Sequence, residues 1–233
     1  MLRNGWPEST GISSLGDFVL AEPGLVKIIA RKYSVGDSDV KIYMAGHHSL
    51  IMPLYFDGTN HGIPYYLKVE ILGDDITDEL DFENDIFPQL PEFNSWPLDA
   101  TASDQEQTSG HAAQIVKAIL FDTQEVMNVP GPKGKPGAYP CRVGANGVEI
   151  VIPRGTTLEE LMAVNEAGNV AEGFAEIRSD GTMVATDLTI SIVEELFEID
   201  WQYKEFKPQD ALKAFKEINT AFEAYVKKVN NIS

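Results

Sequence analysis

Residues 39–56, DVKIYMAGHHSLIMPLYF, form a strongly strand-forming run, and PYYLKVEIL at 64–72 alternates well enough to be its partner across the polar loop DGTNHG. Together they predict an antiparallel pair, the feature that most restricts the fold. His47 and His48 sit in the middle of the first run. Neighbours on a strand face opposite ways, so at most one of the two imidazoles looks into a given site.

The 233 residues are 43% apolar and 23% charged, the profile of an ordinary globular chain able to bury a core unaided. A formal charge of -18, from 36 acidic against 18 basic residues, argues against nucleic acid or an anionic membrane surface as partner, because both require clustered Lys and Arg. Cys141 is the one cysteine, so no intrachain disulfide forms. No secretory leader pattern opens the chain, and a reducing cytoplasm is the expected setting. No apolar run reaches the roughly 18 residues that span a bilayer.

Residues 1–17, with Gly5, Pro7, Gly11 and Gly16, read as an irregular lead-in. Glu22-Pro23 followed by Leu25, Ile28 and Ile29 predicts a helix ending near Tyr33. Seven of the twelve residues at 74–85 are acidic and prolines follow, the pattern of an exposed excursion. That segment lacks the glycine and downstream glutamate of a calcium loop. Ser109 is the expected cap of a helix over 111–121. After the Gly-, Pro- and Lys-rich loop 130–140 come a hairpin about Asn146-Gly147, a helix from Thr156 or Thr157 to about Ala167, and a hairpin turning at 179–181. Two helices close the chain, over 187–197 and 208–229, the second with Leu212, Phe215, Ile218, Phe222 and Tyr225 on one packed face. The sum is an α+β chain: mixed, largely antiparallel sheet packed with helices, ending in a long helix. It reads as a single domain over 1–233, with a possible subdivision into 1–129 and 130–233.

Neither G-x-G-x-x-G nor a P-loop occurs, so this chain alone has no recognisable nucleotide-binding segment. His47, His48, His61, His111 and Cys141 are scattered, without an H-x-x-x-H or C-x-x-C pair, and no metal is expected. His111, placed at a helix start, fits a capping or surface role, with its protonated form disfavoured by the dipole. Cys141 reads as a small core residue. His48 is either a general acid/base or a core histidine satisfied by a backbone carbonyl, and His47 the structural member of the pair. Lys133, Lys135, Tyr139 and Arg142 make a local positive site suited to a carboxylate or phosphate, or else a mobile polar loop and strand edge.

The segments DVKIYMAGHHSL (39–50), PYYLKV (64–69), GDDITDEL (73–80), GKPGAYPCRV (134–143), GVEIVIPRGTTLEE (147–160) and SDGTMVATD (179–187) resemble the C-terminal part of two-domain NAD(P)-dependent dehydrogenase-like proteins, the group that includes opine, saccharopine and malate/lactate types. The resemblance implies a substrate-binding, dimer-forming domain that works with a Rossmann domain supplied elsewhere, either by a separate partner chain or by another stretch of the same gene. NAD or NADP would then be held mainly by that partner and not by this chain alone. His48, or less so His47, would be the acid/base opposite the nicotinamide, with Arg142 and Lys135 holding the carboxylate of a small substrate. Two other classes stay open: a non-catalytic ligand-binding or regulatory module, and a structural assembly subunit that uses the last helix as its interface. A homodimer is expected in the first reading.

Overall fold

The computed structural model describes residues 18–93 and 103–230. The irregular lead-in expected over 1–17 lies outside the described residues, apart from which the fold is α+β as anticipated. The chain forms two compact units, Met1–Gly168 and Asn169–Ser233. The subdivision considered at 129/130 falls inside a strand pairing, described next.

In the first unit, α1 (Glu22–Tyr33) starts at Pro23 and stops where Ser34 turns left-handed, its N–H returning to the carbonyls of Ala30 and Arg31. It buries Leu25, Ile28 and Ile29, the spacing read from the sequence. Strand β1 (Val40–Ala45) pairs antiparallel with β2 (Tyr66–Ile71), Val40 opposite Ile71 and Ala45 opposite Tyr66. A two-residue strand, β3 (Asp74–Asp75), completes this sheet. A second sheet runs β4 (Glu125–Pro130), β5 (Ala138–Gly144), β6 (Gly147–Ile150), all antiparallel. The β4–β5 ladder crosses residue 130, so the chain cannot divide there.

Side chains alternate across β1. Ile42 and Met44 enter a core with Phe18, Leu25, Ile29, Leu54 and Phe87, while Ala45 joins a second core of Ile115, Val129, Tyr139, Cys141 and Leu161. One strand therefore seals both layers. Buried Asn128 on β4 fastens the sheets together: its amide donates to the Ile42 carbonyl at 2.9 Å and its oxygen accepts the Met44 N–H at 3.0 Å.

Several expectations need correction. The strand-forming run ends at Ala45, and His48–Leu50 and α2 (Ile51–Phe56) continue as 3-10 turn and helix. Gly46 follows the strand at a position where only glycine fits, since a Cβ there would stand 2.5 Å from Phe18 Cδ1. The two histidines are thus on a turn, and strand alternation does not govern them. The acidic segment 74–85 keeps its carboxylates largely exposed as expected, but Ile76 and Leu80 anchor it, and Ile86, Phe87 and Leu90 after it enter the first core. The helix expected from 111 begins earlier, as α3 (Ser103–Phe121), so Ser109 and His111 lie within it rather than at its start. Helix α4 (Leu158–Ala171) follows Thr157, which caps it with Glu160 in a reciprocal pair of hydrogen bonds.

The second unit pairs β7 (Phe174–Ile177), β8 (Met183–Ala185) and β9 (Glu205–Phe206) with α5 (Asp187–Phe197) and α6 (Ala211–Asn230). The face of α6 differs from expectation. Ala214 and Ala221 are its buried residues, whereas Leu212, Phe215 and Phe222 are more than half exposed. Small side chains let α6 approach its neighbours closely, and the large ones stand beside that stripe.

Candidate functional site

The histidine turn is built from the end of β1. Gly46 forms an isolated antiparallel bridge with Ala138, whose N–H donates to the Gly46 carbonyl at 3.1 Å. From that bridge one strand runs on into His47 and His48, and the opposing strand leads back through Gly137 and Pro136 to Lys135. The bridge joins the backbone just before the histidines to the backbone that follows the lysine loop, segments far apart in the sequence.

His47 is buried, at 7% exposure, and caps the following turn: the Ser49 N–H donates to its Nδ1 at 3.3 Å. A backbone N–H is an obligatory donor, so Nδ1 carries no proton and the ring is held as the Nε2–H tautomer. That is a structural duty. Helix α4 presses on the same residue, because a Cβ on Gly168 would fall 2.0 Å from His47 Cβ. His48 opens the 3-10 turn and is half-buried, with part of its surface accessible.

The loop Gly131–Gly137 is shaped by left-handed backbone at Gly131, Lys133, Gly134 and Gly137. The Gly131 N–H closes it by donating to the Gly137 carbonyl at 2.8 Å. Lys133 is exposed and Lys135 half-buried. The Lys133 charge reaches Cys141, but burial dominates and drives that thiol far above its ordinary value. Cys141 is therefore an inert core residue. Gly137 must lack a side chain, since its Cβ would meet Asn165 Oδ1 at 1.7 Å. Asn165, buried in α4, donates its amide to the carbonyls of Ala138 and Leu161, each at 3.1 Å. It is the clamp that fixes where β5 begins, and an asparagine on the buried side of a helix was the signal for it.

Tyr139 and Arg142 stand apart from the lysines. Tyr139 faces the second core and is fully buried. Arg142 lies four residues along β5 from Ala138, about 13 Å at strand rise, exposed and donating to the Gln124 carbonyl at 3.2 Å. His61 is exposed and bonded to Asp57 at 2.7 Å, away from the turn by its own loop. Among the described residues no group of three or more His, Cys, Asp or Glu gathers as a metal site, and no helix is long and apolar enough to cross a membrane.

No known protein family matches the chain, and no curated protein does either. Solved structures show partial likeness. The malate dehydrogenase from Aeropyrum pernix is 15% identical with a TM-score of 0.43, over 68% of this chain and 53% of its own. The minor L-lactate dehydrogenase from Enterococcus mundtii, unbound, is 20% identical with a TM-score of 0.44, over 67% and 52%. The 6-phospho-beta glucosidase from Thermotoga maritima is 13% identical with a TM-score of 0.41, over 88% and 58%. This chain spans between half and three-fifths of the length of each.

Proposed function

We propose that this chain is the substrate-binding part of an NAD(P)-dependent oxidoreductase acting on a small carboxylate-bearing substrate. In this reading it forms a dimer and works with a Rossmann domain supplied elsewhere. The observation that supports it is the Gly46–Ala138 bridge, which joins the backbone just before the histidine turn to the backbone just after the lysine loop, with His48 half-buried. The lysines hold the substrate carboxylate by charge. His48 takes the proton of the substrate hydroxyl, or returns it to the carbonyl oxygen in the reverse direction. His47 positions this turn through its bond to Ser49 and does not exchange a proton. The cofactor supplies the hydride-accepting ring when bound.

The test begins with recovery of the tagged chain from its host and identification of co-purifying polypeptides by native mass measurement. A stoichiometric partner with a strand-G-x-G-x-x-G-helix segment is the expected result. With that complex, His48→Gln should lower kcat by about 10²-fold or more in reduction of 2-oxo acids, while Lys133→Ala with Lys135→Ala raises KM. Full turnover by His48→Gln removes the reading. The exposed Leu212, Phe215 and Phe222 of α6 favour a second use of the chain, as an assembly surface. Charged replacements at Phe215 and Phe222 should then convert a dimer to monomer in analytical ultracentrifugation.

A further inference from the structure

The first unit contains a cleft of about 1090 Å³ walled by α1, the start of β1, α3 and β4, and it shares no lining residue with the histidine turn. Three features make it more than a surface depression. Its lining includes Glu22 and His111, both hydrogen-bonded to Asn128. Apolar side chains, Val19, Val26 and Val126 among them, line it beside the polar groups. Its rim carries three lysines, Lys27, Lys41 and Lys117, in a chain with only 18 basic residues in all. Among the described residues none of the three makes an ion pair, and Lys41 lies over the Tyr43 ring at 4.9 Å.

Glu22 and His111 are chemically poised. His111 Nε2 meets the Asn128 carbonyl at 2.7 Å. A carbonyl only accepts, so Nε2 carries the proton and the neutral ring keeps an acceptor at Nδ1. Burial lowers the pKa of His111, against the raising effect of that bond. Glu22 lines the cleft and is partly covered as a residue, yet its surroundings are dense enough that burial pushes its carboxyl up to about 7 against the opposing hydrogen bond from Asn128. A carboxyl in the first turn of a helix would otherwise favour its ionised form. Desolvation wins here because Asn128 is already committed to Ile42 and Met44 and cannot turn to solvate it further.

We propose that this cleft binds a small organic acid, its carboxylate among Lys27, Lys41 and Lys117, its apolar body against the valine wall, and its inner end meeting Glu22 and His111. The arrangement also dictates a pH response. A protonated Glu22 accepts a neighbouring anion, and an ionised one repels it, so affinity falls as pH rises through the neutral range. Among the described residues the other charged or titratable groups lining the cleft are Lys27, Asp37, Lys41, His111, Lys117 and Glu125.

The test uses the full chain with 4-phenylbutyrate as probe and 4-phenylbutan-1-ol as its neutral counterpart, followed by calorimetry and by NMR shifts of the His111 ring. The acid should saturate and shift His111, and bind about tenfold more tightly than the alcohol, the size of one charge-assisted contact. The double variant Lys27→Ala, Lys117→Ala, which alters only the rim, should abolish that difference while leaving the circular dichroism unchanged. Glu22→Gln should flatten the fall in affinity between about pH 6 and about pH 8. Absence of saturable binding, equal affinity for acid and alcohol, or an unchanged preference in the double variant would each overturn the proposal.

Discussion

Gly168→Ala is the sharpest test of how the histidine turn is held. Gly168 lies within α4, where replacing glycine by alanine ordinarily stabilises a helix by about 1 kcal/mol. Here the new Cβ would sit 2.0 Å from His47 Cβ and 2.5 Å from its Cγ. Carbon atoms in ordinary contact stand about 3.5–4.0 Å apart, so the two must separate by roughly 1.5 Å or more. His47 cannot rotate its own Cβ away, and its backbone is tied down: its carbonyl accepts the Leu50 N–H at 3.1 Å and the preceding carbonyl accepts the Ala138 N–H. The cost belongs at the upper end of overpacking, about 3 kcal/mol. Net of the helical gain, the variant should lose about 2 kcal/mol, a Tm drop of roughly 4–8 °C for a chain of this size. Gly110→Ala is the internal control, also helical but with nothing within 4 Å of its Cβ, and should gain about 1 kcal/mol. Urea unfolding followed by far-ultraviolet circular dichroism measures both. If Gly168→Ala proves as stable as the parent or more so, helix α4 does not press on His47 and the account of the turn is wrong.

Asn128→Leu should cost about 3 kcal/mol in the same unfolding assay, because it strands the buried Met44 N–H and Ile42 carbonyl; a loss under about 1 kcal/mol would mean that these groups find other partners. Glu22 contributes a pH dependence whose sign follows from its raised pKa, since the folded state holds the proton more tightly than the unfolded one. Its contribution is present below about pH 4.5 and is lost as pH rises to about 7, a difference of up to about 3 kcal/mol that Glu22→Gln should remove. Parallel pH–stability curves for the two proteins would contradict the burial of that carboxyl. Cys141, fully buried and with its thiol pushed up by desolvation, should resist iodoacetamide until the chain is unfolded; rapid alkylation of the native protein would refute its place in the second core.

Much of the local structure was legible in the residues themselves. Pro23 and the spacing of Leu25, Ile28 and Ile29 identify α1, Asn146-Gly147 identifies the β5–β6 hairpin, and the alternation of 64–72 identifies the partner of β1, because each depends on backbone preferences and periodicity within a few residues. The chemical types of the site were visible in the same way, as two histidines and a cationic loop. What the sequence could not show is which of them meet. Strand propensity runs on past Ala45, yet the chain leaves the strand there for a 3-10 turn and helix, with Gly46 bridged to Ala138 from a distant part of the sequence. Lys135 and Arg142 are both near in sequence to Tyr139, yet one lies in the loop before β5 and the other within the strand, exposed and bonded to the Gln124 carbonyl. The carboxyl of Glu22 looks like an ordinary helix-opening acid, yet burial in the folded chain pushes it up to about 7 against the hydrogen bond from Asn128, more than a hundred positions later. Propensity and pattern act over a few residues and so determine the elements. Burial, register and the pairing of polar groups are set by residues distant in the chain, and they decided the site.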